Sequence, residues 1–396
     1  MIFALLLSLL SAPVLACVGY LFVLSLFSRV PPRPRYVEPR MRFDLIVPAH
    51  DEEHGITETV QSLLAIDYPS ELRRVVVVAD NCTDATAARA SAAGAIVIVR
   101  DDVQKRGKGY ALKRAFERSR EDAFADAVVV VDADTLASKN LLHAFAARFE
   151  RGAQAVQAEY GVGNPGASWR TRLMVIALAM FHTLRSLGRE RLGLSSGLRG
   201  NGMGFTRGIL ATVPHDAFSI VEDVEYGIRL GLHGHRVWYV AEARVLGEMV
   251  ASGRASQSQR DRWESGRVQL ARRFGASLFT QALRQRDPLL LDLGLDLLVP
   301  PLSYVAVLAV SGTLAACAIA LLGGDVMVVL PWAACLVMLG AYVGRGVVLA
   351  GVGARGLVDL LFAPLYVTWK IALSFRRTRR GKEEWVRTAR HGDASP

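Results

Sequence analysis

The sequence predicts an α/β domain that α-helices hold at a membrane. Short β-branched runs alternate with helical patterns over residues 43–132, and three long runs elsewhere carry no charge. The net charge is +10, and most of the excess directly follows apolar runs, which is typical of a membrane protein rather than of a nucleic-acid-binding surface. The four cysteines have no paired spacing, so neither a disulfide framework nor a zinc site is indicated.

The first apolar run predicts a membrane anchor. Residues 2–27 exceed the roughly 20 residues that a helix needs to cross about 30 Å of hydrocarbon. The run lacks the basic start of a signal peptide. Arginines crowd the segment that follows, so we expect that segment in the cytoplasm and the N-terminus outside. The predicted units are a transmembrane anchor, residues 1–28, and a basic cytoplasmic linker, residues 29–42.

Two further apolar runs, residues 302–322 and 326–344, predict a pair of spanning helices. A third stretch, residues 356–375, contains Asp359 and Lys370. A charge near mid-bilayer costs about 3 kcal/mol or more, so we expect this stretch to be interfacial or re-entrant. The predicted units are a C-terminal transmembrane region, residues 300–375, and a basic cytoplasmic tail, residues 376–396.

The alternating region predicts a parallel sheet with crossover helices. Helical patterns at residues 55–66, 85–93 and 109–119 separate the apolar runs. The predicted strands are Phe43–Ala49, Arg74–Ala79, Ala95–Val99 and Ala127–Val131.

Acidic residues follow the predicted strands, where such sheets bind ligands. They are Asp51, Glu52, Glu53, Asp80, Asp84, Asp132 and Asp134. Some of them, Asp84 and Glu53 above all, would serve equally well as helix caps. All of them at one edge would repel one another unless a cation or hydrogen-bond donors were present. The set therefore predicts a charged binding site.

Asp132-Ala133-Asp134 is the most specific of these motifs. Two carboxylates two residues apart, directly after a buried strand, can share one hard divalent cation with a diphosphate. The turn around Lys108 precedes a helix and could offer amides and an ammonium group to phosphate, although a basic solvent-exposed turn explains it equally well.

Two later segments complete the predicted site. Residues 195–204 contain four glycines, which allow the backbone to approach a substrate closely. Glu222 and Asp223 precede an amphipathic helix, where acids are often only caps.

Gln259-x-x-Arg262-Trp263 begins a long helix. Its apolar positions are Leu270, Phe274, Leu278 and Ala282, and its other faces carry Arg260, Arg267, Arg272, Arg273, Arg284 and Arg286. This pattern predicts a helix on an anionic membrane surface, and residues 169–187 offer a similar segment. We assign residues 255–299 to such interfacial helices and residues 43–254 to the catalytic domain.

In this order, the motifs from Asp51 to Trp263 resemble glycosyltransferase family 2, in particular its membrane-embedded cellulose, hyaluronan and chitin synthase branch. The resemblance implies a GT-A fold, a mixed sheet that binds a nucleotide sugar, usually a UDP-sugar, with Mg²⁺ or Mn²⁺. Val221 stands where cellulose synthases carry threonine, which argues against cellulose as the product.

The resemblance also implies roles. The nucleotide and its diphosphate would be held by Asp51, Glu53, Asp80, Lys108, Asp132 and Arg262, and the metal by Asp134 and Asp132. Asp223 would be the general base beside Glu222. The acceptor would meet Trp263, Gln259 and Gly202.

The leading hypothesis is an inverting glycosyltransferase of the inner membrane that forms β-linked saccharide at the cytoplasmic face. Its partners would be a nucleotide sugar, a saccharide or lipid acceptor, the bilayer, and a second copy or an export protein. Transfer of one sugar to a lipid, as in ceramide-type glucosyltransferases, which share an (R/Q)xxRW signature, is the first alternative. Three spans are few for a polysaccharide channel, so a polymerase would need a partner or self-association. A non-catalytic subunit of an export complex and a nucleotidyltransferase are the others.

Overall fold

The computed structural model describes residues 2–249 and 253–368, without the side chains of Ile2 and residues 253–262. These residues form one mixed sheet of eight strands flanked by helices, in the order β3-β2-β1-β4-β7-β6-β8-β5. The strands are β1 Phe43–Ala49, β2 Arg73–Asp80, β3 Ile96–Arg100, β4 Ala127–Val130, β5 Thr135–Ala137, β6 Ala155–Val162, β7 Met203–Thr206 and β8 Val237–Gly247.

The helices of the catalytic domain cover both faces of this sheet. Helix α1, Ile2–Leu26, precedes the domain. The helices of the domain are α2 Ile56–Leu64, α3 Thr86–Ala92, α4 Lys108–Asp122, α5 Leu141–Phe149, α6 Trp169–Leu178, α7 Arg185–Arg191, α8 Arg207–Thr212 and α9 Glu222–Leu232. A π-helical segment, Ala179–Leu184, joins α6 to α7. The remaining helices are α10 Gly253–Gln285, α11 Pro288–Leu298, α12 Leu302–Leu321, α13 Val329–Ala350 and α14 Gly353–Leu360.

The first four strands are parallel, with β1 between β2 and β4. Their residues are apolar in continuous runs because helices cover both faces. Leu45 and Val47 point into the core beneath α2, α3 and α5, whereas Ile46 points to the side of α4, α8 and α9. The predicted strands and crossovers agree with these elements to within a few residues. The sheet continues through β7, which runs antiparallel to both β4 and β6.

Three described helices are long and apolar enough to cross a membrane: residues 3–26, 302–321 and 326–350. They pack through Val18, Ala309 and Trp332, with Trp332 filling the space that Gly312 leaves. Leucines such as Leu9 and Leu314 are more than 60% exposed on their outer faces, which is the surface that lipid would cover.

The ends of α1 and α13 meet beside the catalytic domain. Arg345, in the last turns of α13, donates to the Oγ of Ser28 over 2.9 Å and to its carbonyl oxygen over 2.6 Å. A Cβ on Gly188 of α7 would lie 2.5 Å from the carbonyl oxygen of Leu24, so the anchor and the domain are in backbone contact. The candidate spanning helices are therefore packed onto the domain and not merely tethered to it.

The apolar face of α10 packs against protein, whereas the sequence predicted that it lies on lipid. Leu270 and Leu278 are buried against Ile228 of α9 and Leu293 of α11. The second half of residues 169–187 is likewise buried, with Met180 against Gly346 of α13. Amphipathic helices bury their apolar face against whichever apolar surface is available, and here that surface is protein.

The segment from residue 356 begins inside α14, whose Asp359 accepts from Arg172 of α6 over 2.8 Å. Residues 369–375 and the basic tail, residues 376–396, lie outside the described residues.

Candidate active site

The carboxyl ends of β1 and β2 bring Asp51 and Asp80 to one edge of the sheet. Asp51 has a φ of +53° and accepts from the amide of Thr83 over 2.7 Å. Asp80 is fully buried, and Arg100 donates to its Oδ1 over 2.5 Å. Its Oδ2 is buried without a hydrogen-bond partner. The expected crowding of acids is thus relieved by Arg100, and one carboxylate oxygen stays available.

Glu53 and Asp84 hold the start of α3. The Oδ1 of Asp84 accepts from the amide of Thr86 over 2.9 Å, and the Oε2 of Glu53 accepts from the amide of Ala85 over 3.3 Å. Both acids therefore satisfy amides that the first turn of a helix leaves unpaired. This is the capping role that the sequence left open for them.

Asp51, Cys82 and Asp84 offer three potential ligand atoms within 4.8 Å of one another. Burial raises the pKa of the Cys82 thiol above its usual range, which keeps the sulfur protonated. A thiol is also a poor ligand for Mg²⁺ or Mn²⁺, which prefer oxygen. We therefore do not assign a metal to this group.

Asp132 and Asp134 follow β4 in a loop that hydrogen bonds position. The amide of Asp132 donates to the Oδ1 of Asn201 over 3.2 Å, and Asn201 donates to the hydroxyl of Thr135 over 2.8 Å. That hydroxyl donates in turn to the Oδ1 of Asp134 over 3.1 Å. Two carboxylates held in this way suit a hard cation, and a diphosphate would supply the remaining oxygen ligands.

Lys108, the first residue of α4, lies at the centre of the site. Its Nζ donates to the Oδ1 of Asp132 over 2.5 Å and to the carbonyl oxygen of Gly200 over 2.6 Å, and it lies 3.7 Å from the Oε1 of Glu222. Burial lowers the pKa of Lys108, but Asp132, Glu222 and Asp223 together raise it above its usual range. The ammonium therefore stays charged.

Glu222 and Asp223 open α9 next to Lys108. Burial raises the pKa of both carboxyls above their usual values, and Lys108 opposes that shift. Val221 at the helix N-cap makes no side-chain cap hydrogen bond. A buried carboxyl with a raised pKa is a stronger proton acceptor once ionised, which suits general-base chemistry. We call Lys108, Asp132, Glu222 and Asp223 the active-site cluster.

Gly200 and Gly202 have different surroundings. A Cβ on Gly200 would lie 3.5 Å from both the Oδ2 of Asp223 and the Nζ of Lys108, so the backbone there faces the active-site cluster. A Cβ on Gly202 would lie 2.7 Å from Val245 in β8. Gly202 therefore allows close packing within the sheet, and the described residues around it do not support the predicted contact with the acceptor.

Trp263, about three turns into α10, is 37% exposed. One turn later, a Cβ on Gly266 would lie 2.7 Å from Val221, the residue before Glu222. This contact places the part of α10 that follows Trp263 beside the residues that open α9. The side chains of Gln259 and Arg262 lie outside the described part of α10.

Sequence reasoning missed Tyr160 and the side chain of Asn201. Burial raises the pKa of Tyr160, and the nearby negative charges of Asp134 and Asp132 raise it further. Its ring stacks on His182 at 5.2 Å between centroids. Asn201 lies within the glycine-rich segment that the sequence did single out, but Tyr160 carries no local pattern.

The sheet and this site define a GT-A-type nucleotide-sugar enzyme fold. The chain matches the model for "Glycosyltransferase like family 2" over residues 39–266, and it belongs to that family.

Named relatives agree with this family. The chain is 30% identical to the beta-monoglucosyldiacylglycerol synthase of Synechocystis sp. over 232 residues. These residues make up 57% of this chain and 47% of the relative. It is 24% identical over 247 residues to the probable glycosyltransferase YdaM of Bacillus subtilis, 60% of this chain and 58% of YdaM. The chain thus spans about half the length of the curated relatives it matches.

A solved structure shares the fold beyond the catalytic domain. A mannosyltransferase from Pyrobaculum calidifontis, solved with GDP-mannose and Mn²⁺, covers 88% of this chain and 99% of its own at 18% identity and a TM-score of 0.53. The predicted mixed-sheet fold is confirmed.

Proposed function

We propose that this protein is a membrane-bound glycosyltransferase that moves one hexose from a nucleotide sugar to a lipid acceptor, with inversion to a β-linkage. One observation carries the proposal. Lys108 joins the carboxylate of the donor-side motif, Asp132, to the carboxylates that open α9, within a domain packed against membrane helices.

The donor side would use the edge formed by β1, β2 and β4. The buried Oδ2 of Asp80, which has no hydrogen-bond partner among the described residues, would accept from a nucleobase N–H. The carboxylates of Asp132 and Asp134 would hold Mg²⁺ or Mn²⁺, which stabilises the charge on a departing diphosphate. Lys108 would add its ammonium on the same side.

The acceptor side would use Asp223 as general base. Gly200 leaves its carboxylate uncovered, and burial raises its pKa. Inversion needs one base to take the proton of the attacking hydroxyl, and the metal-bound pair cannot serve as that base. Glu222, closer to Lys108, would hold the ammonium in place.

A lipid acceptor is favoured over a growing polysaccharide for two reasons. Three relatives, including the one above, are named beta-monoglucosyldiacylglycerol synthases. The described chain also has three candidate spans, few for a channel that encloses a polymer. The similarity to cellulose, hyaluronan and chitin synthases remains a sequence-based prediction.

The catalytic domain would lie in the cytoplasm, because the arginines of residues 29–42 follow α1 and the ends of α1 and α13 meet at the domain. A cysteine placed at Asp325, between α12 and α13, should react with an impermeant reagent added to intact cells. A cysteine placed after Arg390 should not react, and the reverse pattern would contradict the orientation.

The function is tested with purified protein in lipid nanodiscs. A panel of nucleotide sugars is offered, released nucleotide is measured, and the product mass is determined. One added hexose on a lipid supports the proposal, a ladder of masses supports a polymerase, and no nucleotide release with any donor supports a non-catalytic subunit.

Metal dependence is tested in the same assay. Chelation of divalent ions, or Asp134→Ala, should reduce turnover by roughly 10²-fold or more, since a bound metal supplies several kcal/mol of transition-state stabilisation. Asp67→Ala is the matched control, because this exposed aspartate precedes β2 at the opposite edge of the sheet. Full turnover in chelator would refute the metal role.

A further inference from the structure

A second cluster of buried charge lies where the catalytic domain meets the membrane helices. We call it the arginine cluster: Arg185, Arg189, Arg199, Arg267, Asp292 and Asp296. Arg189 contacts Asp292 at 2.9 Å and Asp296 at 2.6 Å. Arg185 and Arg267 each lie 3.4 Å from Asp296. Asp296 therefore forms ion pairs with three guanidinium groups.

Arg199 has no carboxylate partner among the described residues, although it is only 9% exposed. Its guanidinium donates to the carbonyl oxygen of Ser196 over 3.0 Å and lies 4.8 Å from the ring centre of Phe181. Arg185 and Arg267 approach the same ring at 4.8 and 5.6 Å. Three cations thus surround one aromatic ring.

Hydrogen-bond donors in this cluster are unsatisfied. Among the residues that the structure describes, neither the Nε of Arg199 nor the NH1 of Arg267 has a hydrogen-bond partner, and both atoms are buried. Burial lowers the pKa of Arg199 to about 10, Asp296 opposes this shift, and Arg189, Arg267 and Arg185 add to it. A buried charged donor without an acceptor is strongly unfavourable. Binding of a negatively charged acceptor would therefore stabilise the arginine cluster.

The location identifies the source of that acceptor. Tyr20 of α1 and Tyr342 of α13 both donate or accept hydrogen bonds within the cluster. Tyr20 lies six residues before the end of α1, or about 9 Å along a helix at its usual rise. The cluster therefore lies near the end of α1 that joins the catalytic domain, the end beside which lipid headgroups would lie when α1 spans a bilayer. Arg199 also precedes Gly200, whose backbone faces Asp223.

We propose that the arginine cluster binds the phosphate group of a membrane lipid through Arg199 and Arg267. Guanidinium groups bind phosphate with paired, charge-assisted hydrogen bonds, and the two unsatisfied donors supply them. The inference rests on the proposed function in one respect: a lipid phosphate held beside Gly200 would bring an acceptor hydroxyl on that lipid to Asp223.

The experiment measures binding to the full chain in a maltoside detergent, which contains no phosphate. Calorimetric titration compares dioctanoyl phosphatidylglycerol, whose headgroup carries a phosphate and free hydroxyls, with dioctanoylglycerol and inorganic phosphate at one ionic strength. The lipid phosphate should bind at least about tenfold more tightly than the neutral lipid, and Arg199→Met should remove that difference. Arg118→Met, on the exposed face of α4, should leave it intact.

Further measurements separate a loss of phosphate contacts from a loss of folding. Arg199→Lys preserves the charge without the planar fork and should bind with intermediate affinity, and thermal unfolding shows whether each variant is folded. Unchanged binding in folded Arg199→Met would overturn the site. Equal affinity for inorganic phosphate would overturn the lipid source, and displacement by a nucleoside diphosphate would assign the cluster to the donor instead.

Donor turnover, measured in parallel, separates the two proposals. Nucleotide-sugar turnover without preference for the phosphorylated lipid would overturn the phosphate site alone. Binding of the phosphorylated lipid without turnover of any donor would overturn only the glycosyltransferase proposal.

Discussion

The active-site cluster and the arginine cluster adjoin each other and are unbalanced in opposite directions. In the first, three carboxylates surround Lys108, and in the second, four arginines share two aspartates. Gly200 and Arg199 are consecutive residues that belong to the two sides. At longer range the charges compensate, since Arg199 opposes the burial-induced rise in the pKa of Asp223.

The difference shows what each cluster lacks. Charge compensation acts over several ångströms, whereas a hydrogen bond requires an acceptor at about 3 Å. The active-site cluster has more carboxylates than cations and suits a cation, and the arginine cluster has unsatisfied donors among the described residues and suits an anion. Substitutions that remove one member of each cluster test this contrast.

The largest expected effect is on turnover. Asp223→Asn keeps the size of the side chain but removes the proposed base, so turnover should fall on the order of 10² to 10⁴-fold while nucleotide-sugar binding persists. Transfer rates and calorimetric donor binding measure the two effects. Asp216→Asn, at the exposed pair with Lys113, is the control. Near-normal turnover in Asp223→Asn would make that residue a helix cap.

The next effect is on stability. Arg189→Met leaves Asp292 and Asp296 buried without their main partner, so the free energy of unfolding should fall by about 3 to 5 kcal/mol. Chemical unfolding in detergent measures this change, with Arg118→Met as the exposed counterpart. A loss below about 1 kcal/mol would show that Asp296 is adequately held by Arg185 and Arg267.

The arginine cluster should also make the free energy of unfolding depend on pH. Burial, then Arg199 and Arg185, lower the pKa of His182 to about 3, well below the value near 6.5 in an unfolded chain. The unfolded chain therefore gains this proton first, and stability should fall as pH drops from about 6.5 toward 3, by at most about 1.4 kcal/mol per pH unit. His182→Gln should flatten this acid limb, and an unchanged slope would show that other groups dominate it.

The smallest expected effect concerns Arg199. Because no described carboxylate forms an ion pair with it, Arg199→Met should change the free energy of unfolding by less than about 1 kcal/mol or increase it. Comparison with Arg189→Met under the same conditions is the measurement. Equal losses in both variants would mean that Arg199 is a structural residue.

The sequence predicted the active-site cluster far better than the arginine cluster. Strands β1 to β4 alternate with helices in a local pattern, and Asp132 and Glu222 directly adjoin regular elements whose ends were predictable. Arg267 was assigned to a lipid-facing surface because its helix is amphipathic, yet it contacts Asp296 of α11. Charge on a helix face does not reveal whether lipid or a distant carboxylate lies opposite it, and tertiary packing decides.

The hydroxyl of Tyr20 accepts from Arg189 and donates to Asp292, residues 169 and 272 positions further along the chain. During synthesis α1 leaves the ribosome before α7 and α11, so it exists long before either partner of Tyr20. Closing so long a loop adds an entropic cost that the finished junction offsets. The hydrogen bond to Asp292 therefore forms late in biogenesis, and translation that stops before α11 leaves Arg189 without Asp292 and Asp296.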